Sequence, residues 1–265
     1  MKTLIVIFLI IGVAVAVPVE KYYVTFIKGE VLLERTKKPV KVGDALNPDD
    51  KLVFKDKTGR VSCISPGKGR FDITAQSVKP GKGGELLAIL KASLVPATGT
   101  YHLSTRSILS EGYDPVTYFS SEATHDRILL ISDEPLPIKP SYVLDAGNFF
   151  FIQFTENGKP VTRKVPYTQH GLVFSEKLFL TSAGIVAERV TLGYQSNTDG
   201  ERKSSAVAVF SPVTAGKEEI IQQVKLISDI TGTTDKKKQK AEIIDHLFEN
   251  YGKIDTEELA RVFGI

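Results

Sequence analysis

Short hydrophobic runs alternate with turn-forming segments through the first part of the chain beyond residue 20. The runs are rich in β-branched and aromatic residues, and the segments between them read KG, TKKP, NPDD, KTG and PGKG. Closely spaced runs of this kind are typical of antiparallel strands. The pattern predicts a small β-barrel or sandwich, with strands at Tyr22–Lys28, Glu30–Glu34, Lys51–Lys55, Arg60–Ser65 and Arg70–Thr74.

The spacing of the hydrophobic residues changes after these runs. Leucines recur near one face of a helix in Glu85–Leu94, which predicts a short amphipathic helix. Pro96 ends this helix, because proline cannot donate a main-chain hydrogen bond. The first domain is therefore predicted to span residues 17–98. Residues 99–125 are rich in Ser and Thr and weakly patterned, and they are predicted to form a linker.

A second series of short hydrophobic runs fills residues 126–214. Asn157-Gly158 lies between two of them and predicts a hairpin turn, because both residues tolerate positive φ angles. The run Phe149–Phe151 is predicted to be a core strand buried on both faces. The series predicts a second, β-sandwich-like domain, with strands at Arg127–Ser132, Tyr142–Asp145, Asn148–Thr155, Gly171–Phe174, Gly184–Gln195 and Ala206–Phe210.

Residues 215–265 have helical spacing instead. Apolar residues recur every three or four positions in Glu218–Ile230, Lys236–Tyr251 and Thr256–Phe263. These segments predict a helical tail. The expected fold class is thus mainly β with a helical C-terminal tail (α+β), in which a small β-barrel or sandwich precedes a second β-sandwich-like domain.

The N-terminal residues have the organisation of a secretory signal. Lys2 precedes an apolar run from Leu4 to Val17, and Ala14-Val15-Ala16 has the small residues of a signal-peptidase site. A membrane anchor needs about 20 apolar residues, and Pro18 ends this run earlier. We therefore expect a signal peptide at residues 1–16, cleavage after Ala16, and export to the periplasm or the extracellular space. An uncleaved N-terminus that anchors the chain in the membrane is the alternative.

Composition adds two constraints. The chain has 34 Lys and Arg against 31 Asp and Glu, and a formal net charge of +3. A balance this even predicts no strong attraction to nucleic acid. Cys63 is the only cysteine, so the chain cannot form an internal disulfide. It lies in a predicted strand, where a free thiol usually packs as a small hydrophobic group.

Residues 24–73 contain a glycine and a valine before a strand, then the motif V-G-D-x-L, then an acidic turn. On these residues the segment is similar to the FecR-like periplasmic β module, and the resemblance implies a β module of an envelope protein. Val31, Asp50 and Leu52 fit this pattern, together with the five motif positions Gly29, Val42, Gly43, Asp44 and Leu46. Glycine permits a left-handed backbone, and aspartate can hydrogen-bond the main chain of a turn. We therefore interpret these five as fold residues and assign them no binding role.

The tetrapeptide PGKG occurs twice, around Lys68 and around Lys82, and glycine-rich loops of this kind can hold phosphate. A P-loop requires G-x-x-x-x-G-K-[ST]. Around both lysines the first glycine is replaced, and glycine follows the lysine where a hydroxyl is needed. Both copies are predicted to be turns that bind no nucleotide. A weaker contact of Lys68 and Lys82 with an anion or a partner is the alternative.

The sequence lacks local signatures of catalysis and of metal binding. The four histidines are far apart, and neither H-E-x-x-H nor G-x-S-x-G occurs. We therefore expect no cofactor, no metal and no enzymatic activity. The alternative is an envelope hydrolase with a triad assembled from distant residues, in which His102, His125 or His170 meets a serine or an aspartate in a cleft.

These features together favour an exported, non-catalytic envelope protein that binds or scaffolds a partner. We expect the partner to be an envelope protein, and a cell-wall glycan is the second choice. Neither nucleic acid nor nucleotide is an expected ligand.

Overall fold

The fold is mainly β with α-helices at its C-terminal end, which confirms the predicted fold class. The computed structural model describes residues 20–66, 68–77, 112–119, 126–198, 200–232 and 235–264. The predicted signal peptide, the predicted helix Glu85–Leu94 and Lys82 lie outside the described residues.

The first β region occupies residues 20–77. One antiparallel sheet has the order β4-β1-β6-β7, and a second has the order β3-β2-β5. The strands are β1 (Tyr22–Lys28), β2 (Val31–Leu33), β3 (Lys38–Pro39), β4 (Ala45–Leu46), β5 (Leu52–Phe54), β6 (Arg60–Ser65) and β7 (Gly69–Thr74).

A hydrophobic core lies between these two sheets. Alternate residues of β1, β6 and β7 face it, as expected for strands with one buried face. The buried members are Tyr22, Val24, Val31, Val40, Leu46, Leu52, Val61, Cys63, Phe71 and Ile73.

The second β region occupies residues 112–215. Its helices are α1 (Pro115–Tyr118) and α2 (Glu176–Phe179). Its strands are β8 (Arg127–Ile131), β9 (Pro135–Leu136), β10 (Phe149–Glu156), β11 (Lys159–Lys164), β12 (Tyr167–Thr168), β13 (Gly171–Val173), β14 (Val190–Thr198) and β15 (Glu201–Ala215).

Two sheets organise this second region. The larger has the order β11-β10-β14-β15-β8, in which only the β15–β8 pairing is parallel. The smaller has the order β12-β13-β9. Their shared core is rich in aromatic rings, and Phe119, Phe174, Phe179 and Phe210 pack on one another with ring centroids 4.8 to 6.4 Å apart.

The C-terminal helices are α3 (Lys217–Thr231), α4 (Lys236–Tyr251) and α5 (Thr256–Phe263). Asp235 caps α4 by accepting hydrogen bonds from the main-chain nitrogens of Lys237 and Lys238. Asp255 caps α5 in the same way.

These helices form a third core with both β regions. Ile64 of the first region and Leu129 of the second lie in one buried cluster with apolar side chains of all three helices. The helices therefore lie between the two β regions and contact both. The other buried members are Ala215, Ile220, Ile227, Ile243, Ile244, Leu247, Tyr251, Ile254 and Leu259.

Several predicted elements have the expected bounds. Strands β1 and β6 and helices α4 and α5 begin and end where the sequence pattern places them. The hairpin turn at Asn157-Gly158 is also confirmed, with φ angles of 50° and 75°.

Three local predictions are wrong. Tyr142–Asp145 contains no strand, because the Asp145 carboxylate accepts hydrogen bonds from the main chain of Gly147 and Asn148 and turns the chain. Residues 184–189 precede β14 instead of belonging to it. Strand β10 buries one face only, since Phe150 is inaccessible whereas Phe149 and Phe151 are half-buried.

Residues 112–119, which fall in the predicted linker, contribute to the second core. The Asp114 side chain caps α1 at the main-chain nitrogen of Val116. This short helix places Tyr118 and Phe119 among the buried residues of the second β region.

Candidate functional site

An open groove of about 650 Å³ lies at one end of the small sheet of the second β region. Its volume falls in the range typical of small-molecule sites. We call it the Tyr142–Tyr167 groove, and it is lined by Gly112, Pro137, Ile138, Lys139, Pro140, Tyr142, Leu144, Tyr167, Thr168, Gln169, His170 and Gly171.

The β12–β13 hairpin forms one wall of the groove. Tyr167 and Thr168 pair with Leu172 and Gly171, which leaves the side chains of Gln169 and His170 exposed at the turn. The Thr168 hydroxyl accepts a hydrogen bond from the His170 main-chain nitrogen at 3.1 Å. This bond fixes the turn. The polar side chains of Thr168, Gln169 and His170 follow one another along the rim of the groove.

Gly171 allows this hairpin to lie against β9. Its φ angle is +136°, and a Cβ atom at this position would stand 2.0 Å from the carbonyl oxygen of Leu136. Any other residue would collide with main chain there, so glycine is required for the close approach of β13 to β9.

The opposite wall is the segment that follows β9. Tyr113 holds it through two main-chain hydrogen bonds, from its nitrogen to Pro137 O at 3.0 Å and to its oxygen from Lys139 N at 2.9 Å. The Lys139 ammonium lies 3.3 Å from the Asp114 carboxylate. Residues far apart in sequence therefore build this wall, and its one lysine is paired with an acid.

Tyr142 connects the groove to the core. Its ring contacts the rings of Phe150 and Tyr194, with both centroids 5.2 Å away. Burial, followed by the negative charge of Asp114, raises the pKa of the Tyr142 hydroxyl. The hydroxyl therefore stays protonated and can both donate and accept a hydrogen bond.

Uncharged polar groups dominate the lining. Gln169 Nε2 and His170 Nε2 lie 3.1 Å apart, and the imidazole nitrogen accepts because the amide nitrogen can only donate. Among the described lining residues there is no Asp or Glu, and Lys139 is the one Lys or Arg. The groove thus offers rings, hydroxyls, an amide and an imidazole to a ligand.

The groove contains one of the predicted candidate histidines. The hydrogen bonds of His170 go to Gln169 and Thr168, so neither a serine nor an aspartate partners it there. His102 and His125 lie outside the described residues. The groove therefore presents His170 as a hydrogen-bonding group.

His246 belongs to a buried chain of polar side chains on α3 and α4. Asn250 Nδ2 faces His246 Nδ1 at 3.2 Å, and His246 Nε2 faces Gln223 Oε1 at 2.8 Å. Gln223 donates to the Tyr251 hydroxyl, which donates to Glu219. Burial, assisted by nearby Arg70 and Arg60, lowers the pKa of His246 to about 3. This histidine is neutral and enclosed within the helix interface.

The five residues of the FecR-like motif lie around strands β1 and β4. Gly43 has a φ of +92° and donates its N–H to Val24 O at 2.8 Å. Asp44 Oδ2 accepts from Lys41 N at 2.8 Å, and Leu46 is buried in the first core. Gly29 has a φ of +78°, and Val42 is half-buried in the loop before β4. In the structure, these five residues therefore lie in turns or contact the first core.

Lys68 forms an ion pair at the surface of the first β region. Its ammonium lies 2.6 Å from the carboxylate of Glu20, whose pKa is lowered by this contact and by the hydroxyl of Tyr22. Ser65 O accepts from the Lys68 nitrogen at 3.1 Å, as expected for a turn between β6 and β7.

A second, smaller cavity of about 360 Å³ lies beside the motif. Apolar residues such as Leu33 and Pro39 line it together with the basic residues Arg35, Lys38 and Lys41. The Arg35 guanidinium is occupied by the buried carboxylate of Asp50. This cavity is smaller than the groove and has fewer groups that can fix a ligand.

Within the described part of the chain, no cluster of His, Cys, Asp and Glu side chains could hold a metal ion. No helix in that part is long and apolar enough to cross a membrane. Comparison with known proteins found no matching family model, no matching curated protein and no matching solved structure.

The sequence did not identify the groove. Of its polar rim, only His170 was a candidate, and Tyr142 was assigned to a strand. The dense prolines of residues 135–140 and the tyrosine that follows them are the one local signal of an irregular, aromatic surface in this part of the chain.

Proposed function

We propose that the protein is an exported, non-catalytic component of a bacterial envelope, which binds another envelope component through the Tyr142–Tyr167 groove. The groove carries this proposal. It combines accessible tyrosine rings with convergent, uncharged hydrogen-bonding groups in a cleft of ligand-binding size.

Export is supported by the N-terminal sequence, where a basic residue, a short apolar run and an Ala-x-Ala site follow one another. The similarity of residues 24–73 to the FecR-like periplasmic module supports the same location. In this proposal the first β region is a structural module, since its motif residues make turn and core contacts.

Binding is favoured over catalysis by the partners of His170. A general base needs a nucleophile within hydrogen-bonding reach. Among the described residues, the hydrogen bond of the His170 imidazole is with the Gln169 amide, and the main-chain nitrogen of His170 donates to Thr168, which suits a role in holding a ligand.

The helices favour a scaffolding contribution. Their buried cluster contains Ile64 from the first β region and Leu129 from the second. The helices α3–α5 thereby connect the second β region, which carries the groove, to the first β region, which has a separate surface.

Co-sedimentation of the purified chain with isolated envelopes of the source bacterium tests the binding function. Wild-type protein should sediment with the envelope fraction, and the double variant Gln169→Ala/His170→Ala should remain largely in the supernatant. Gln222→Ala, an exposed glutamine on α3, is the matched control and should sediment like wild type. Equal sedimentation of all three proteins would reject the groove as the binding site.

Export is tested separately by N-terminal sequencing of the chain recovered from cells. A mature chain beginning at Val17 supports secretion with cleavage after Ala16. A chain that retains Met1 in the membrane fraction supports anchoring instead.

A further inference from the structure

We infer that the ligand of the Tyr142–Tyr167 groove is a neutral oligosaccharide. This inference rests on the proposed function and adds the chemical class of the ligand. Three properties of the lining support it: its charge, the kind of hydrogen-bonding groups on its rim, and its tyrosine rings.

The first property is the absence of uncompensated charge. In the described lining, the charge of Lys139 is matched by Asp114 at 3.3 Å, and no carboxylate is present. The lining itself therefore offers an ionic ligand no unpaired opposite charge, and beside it the Lys164 ammonium is engaged by the Tyr167 ring, 5.6 Å from the ring centre. A neutral ligand needs no such charge on entering the groove.

The second property is the chemistry of the rim. Thr168, Gln169 and His170 are consecutive, exposed, and each is able both to donate and to accept hydrogen bonds. A sugar hydroxyl has the same dual capacity. Neighbouring hydroxyls of a pyranose ring could therefore be satisfied in either direction by these side chains, whereas a ligand with acceptors only would use half of them.

The third property is the pair of tyrosines. Tyr142 and Tyr167 are half-buried and line the cleft, and each has an apolar ring and a polar hydroxyl. A pyranose has apolar C–H faces and a polar perimeter, so its two kinds of surface match those of the tyrosine side chain.

A peptide fits this rim less well. β12 is the edge strand of the small sheet, where Tyr167 pairs with Leu172 and Thr168 pairs with Gly171 of β13. Val173 N also donates to Pro166 O at 2.8 Å on this inner side. The outer edge of β12 is only two residues long, so it offers an extended peptide a short main-chain ladder at most, and recognition depends mainly on side chains.

Calorimetric titration of the full chain with two neutral probes tests the inference. The probes are hexa-N-acetylchitohexaose and cellohexaose, and a proline-rich decapeptide is the competing class. We expect saturable binding of at least one glycan, with amide NMR shifts concentrated at Thr168–His170. Gln169→Ala and His170→Ala should each weaken the affinity by roughly three- to ten-fold, as expected for the loss of one hydrogen bond.

Variants of Tyr167 test the contribution of the ring. Tyr167→Phe should retain most of the affinity, and Tyr167→Ala should lose at least as much as Gln169→Ala does. Gln222→Ala should bind like wild type. Glycan binding that none of the groove variants weakens would overturn the inference.

The two levels of the proposal fail in different ways. If the peptide binds at Thr168–His170 and neither glycan does, the ligand class is wrong and the groove remains a binding site. If no probe binds and the groove variants still sediment with envelopes, both the ligand class and the proposed function of the groove are wrong.

Discussion

Arg70 Nη2 lies 3.0 Å from Oε1 of Glu249, and this ion pair joins the first β region to helix α4. Two more guanidinium groups reach the same helix end, since Arg60 Nη1 donates to Glu249 O at 3.5 Å and Arg127 Nη2 donates to Asn250 O at 2.7 Å. Positive charge at a helix C-terminus is favourable because the last carbonyls lack helical partners. Both β regions therefore hold the end of α4.

The Arg70–Glu249 pair should show strong energetic coupling, because both side chains are mostly buried, with 9% and 17% of their surface exposed. Removing one partner takes a close opposite charge away from a mostly buried group, and each of Arg70→Met and Glu249→Met should lower the free energy of unfolding by about 3 kcal/mol. The double variant should lose clearly less than the sum of the single variants. Urea unfolding of the four proteins measures the coupling energy.

The exposed pair Lys203–Glu201 is the matched control for this cycle. Lys203 Nζ and Glu201 Oε2 are 3.1 Å apart, but the Lys203 side chain is 70% exposed and the Glu201 side chain is 71% exposed. Solvent screens such a pair, so its cycle should show little or no coupling. Equal coupling in the two cycles would contradict the role given to Arg70.

His246 should make the protein less stable as the pH falls. Its pKa is about 3 in the folded chain, against an ordinary histidine value of 6.5, so the unfolded chain binds a proton that the native chain excludes. The stability due to neutral His246 is complete above about pH 6.5 and is lost as the pH falls from there towards 3. The expected slope is about 1.4 kcal/mol per pH unit.

The hydrogen bonds of His246 explain why protonation is unfavourable. A proton on Nδ1 would face the amide hydrogens of Asn250, which already point at that nitrogen. His246→Gln has no imidazole to titrate, and from pH 4.5 to 6.5 the slope of its unfolding free energy against pH should be lower than that of the wild type by about 1.4 kcal/mol per pH unit. An unchanged slope would show that other groups cause the acid sensitivity.

Glu258 should have the opposite pH dependence. Burial raises its pKa to about 7 from the ordinary glutamate value of 4.5, although Tyr118 and Arg261 partly oppose this rise. The native chain therefore keeps a proton that the unfolded chain releases. Its contribution is complete below about pH 4.5 and is lost as the pH rises to 7, by about 3 kcal/mol in all.

Glu258→Gln keeps an oxygen that accepts the hydrogen bond of the Tyr118 hydroxyl, and its side chain does not titrate. The pH dependence of this variant therefore shows the contribution of His246. Between pH 4.5 and 6.5 the two groups oppose each other in the wild type. In that range Glu258→Gln should gain stability with rising pH, and His246→Gln should lose it. Urea unfolding at three pH values separates these cases, and parallel pH profiles of the two variants would contradict the assignment.

The sequence predicts those elements whose causes are local. Strands β1 and β6 are short runs with β-branched or aromatic residues between turns, and helix α4 repeats its apolar residues with helical spacing after the cap at Asp235. Tyr142–Asp145 misled the same reasoning because its residues favour strands. There the Asp145 carboxylate binds two main-chain nitrogens, which turns the chain.

The groove could not be predicted from local pattern, because its walls come from three separated segments. The pairings of Tyr113 and of the small sheet bring together Gly112, Pro137–Leu144 and Tyr167–Gly171. The buried chain at His246 has the same origin. Helical spacing places Asn250 one turn from His246, but it does not reveal Gln223 on the neighbouring helix.

Cys63 should be unreactive in the folded protein, since its side chain is fully buried in the first core. Burial, with the nearby charge of Asp72, raises the pKa of the thiol and disfavours the reactive thiolate. Labelling with a thiol-specific disulfide reagent should be negligible in buffer and complete in denaturant. Ser204→Cys places a thiol on the exposed part of β15 and should react at once, with Cys63→Ala as the background. Rapid labelling of wild type would contradict the buried position.

Gly171 should tolerate no side chain. An alanine Cβ would lie 2.0 Å from Leu136 O, and the φ angle of +136° is strained for any residue other than glycine. Gly171→Ala should therefore separate β13 from β9 and lower the free energy of unfolding by about 3 kcal/mol or more. Because the groove depends on this contact, ligand binding should fall together with stability.

Gly184 is the matched control for this substitution. Its φ angle is +74°, and an added Cβ would meet nothing within 4 Å. Gly184→Ala should therefore cost only the backbone strain, about 1 kcal/mol, and leave the groove intact. Thermal unfolding compares the two variants, and amide NMR spectra show whether Thr168–His170 keep their native environment. Equal losses in the two variants would mean that backbone strain alone matters at Gly171, and that its approach to Leu136 does not form the groove wall.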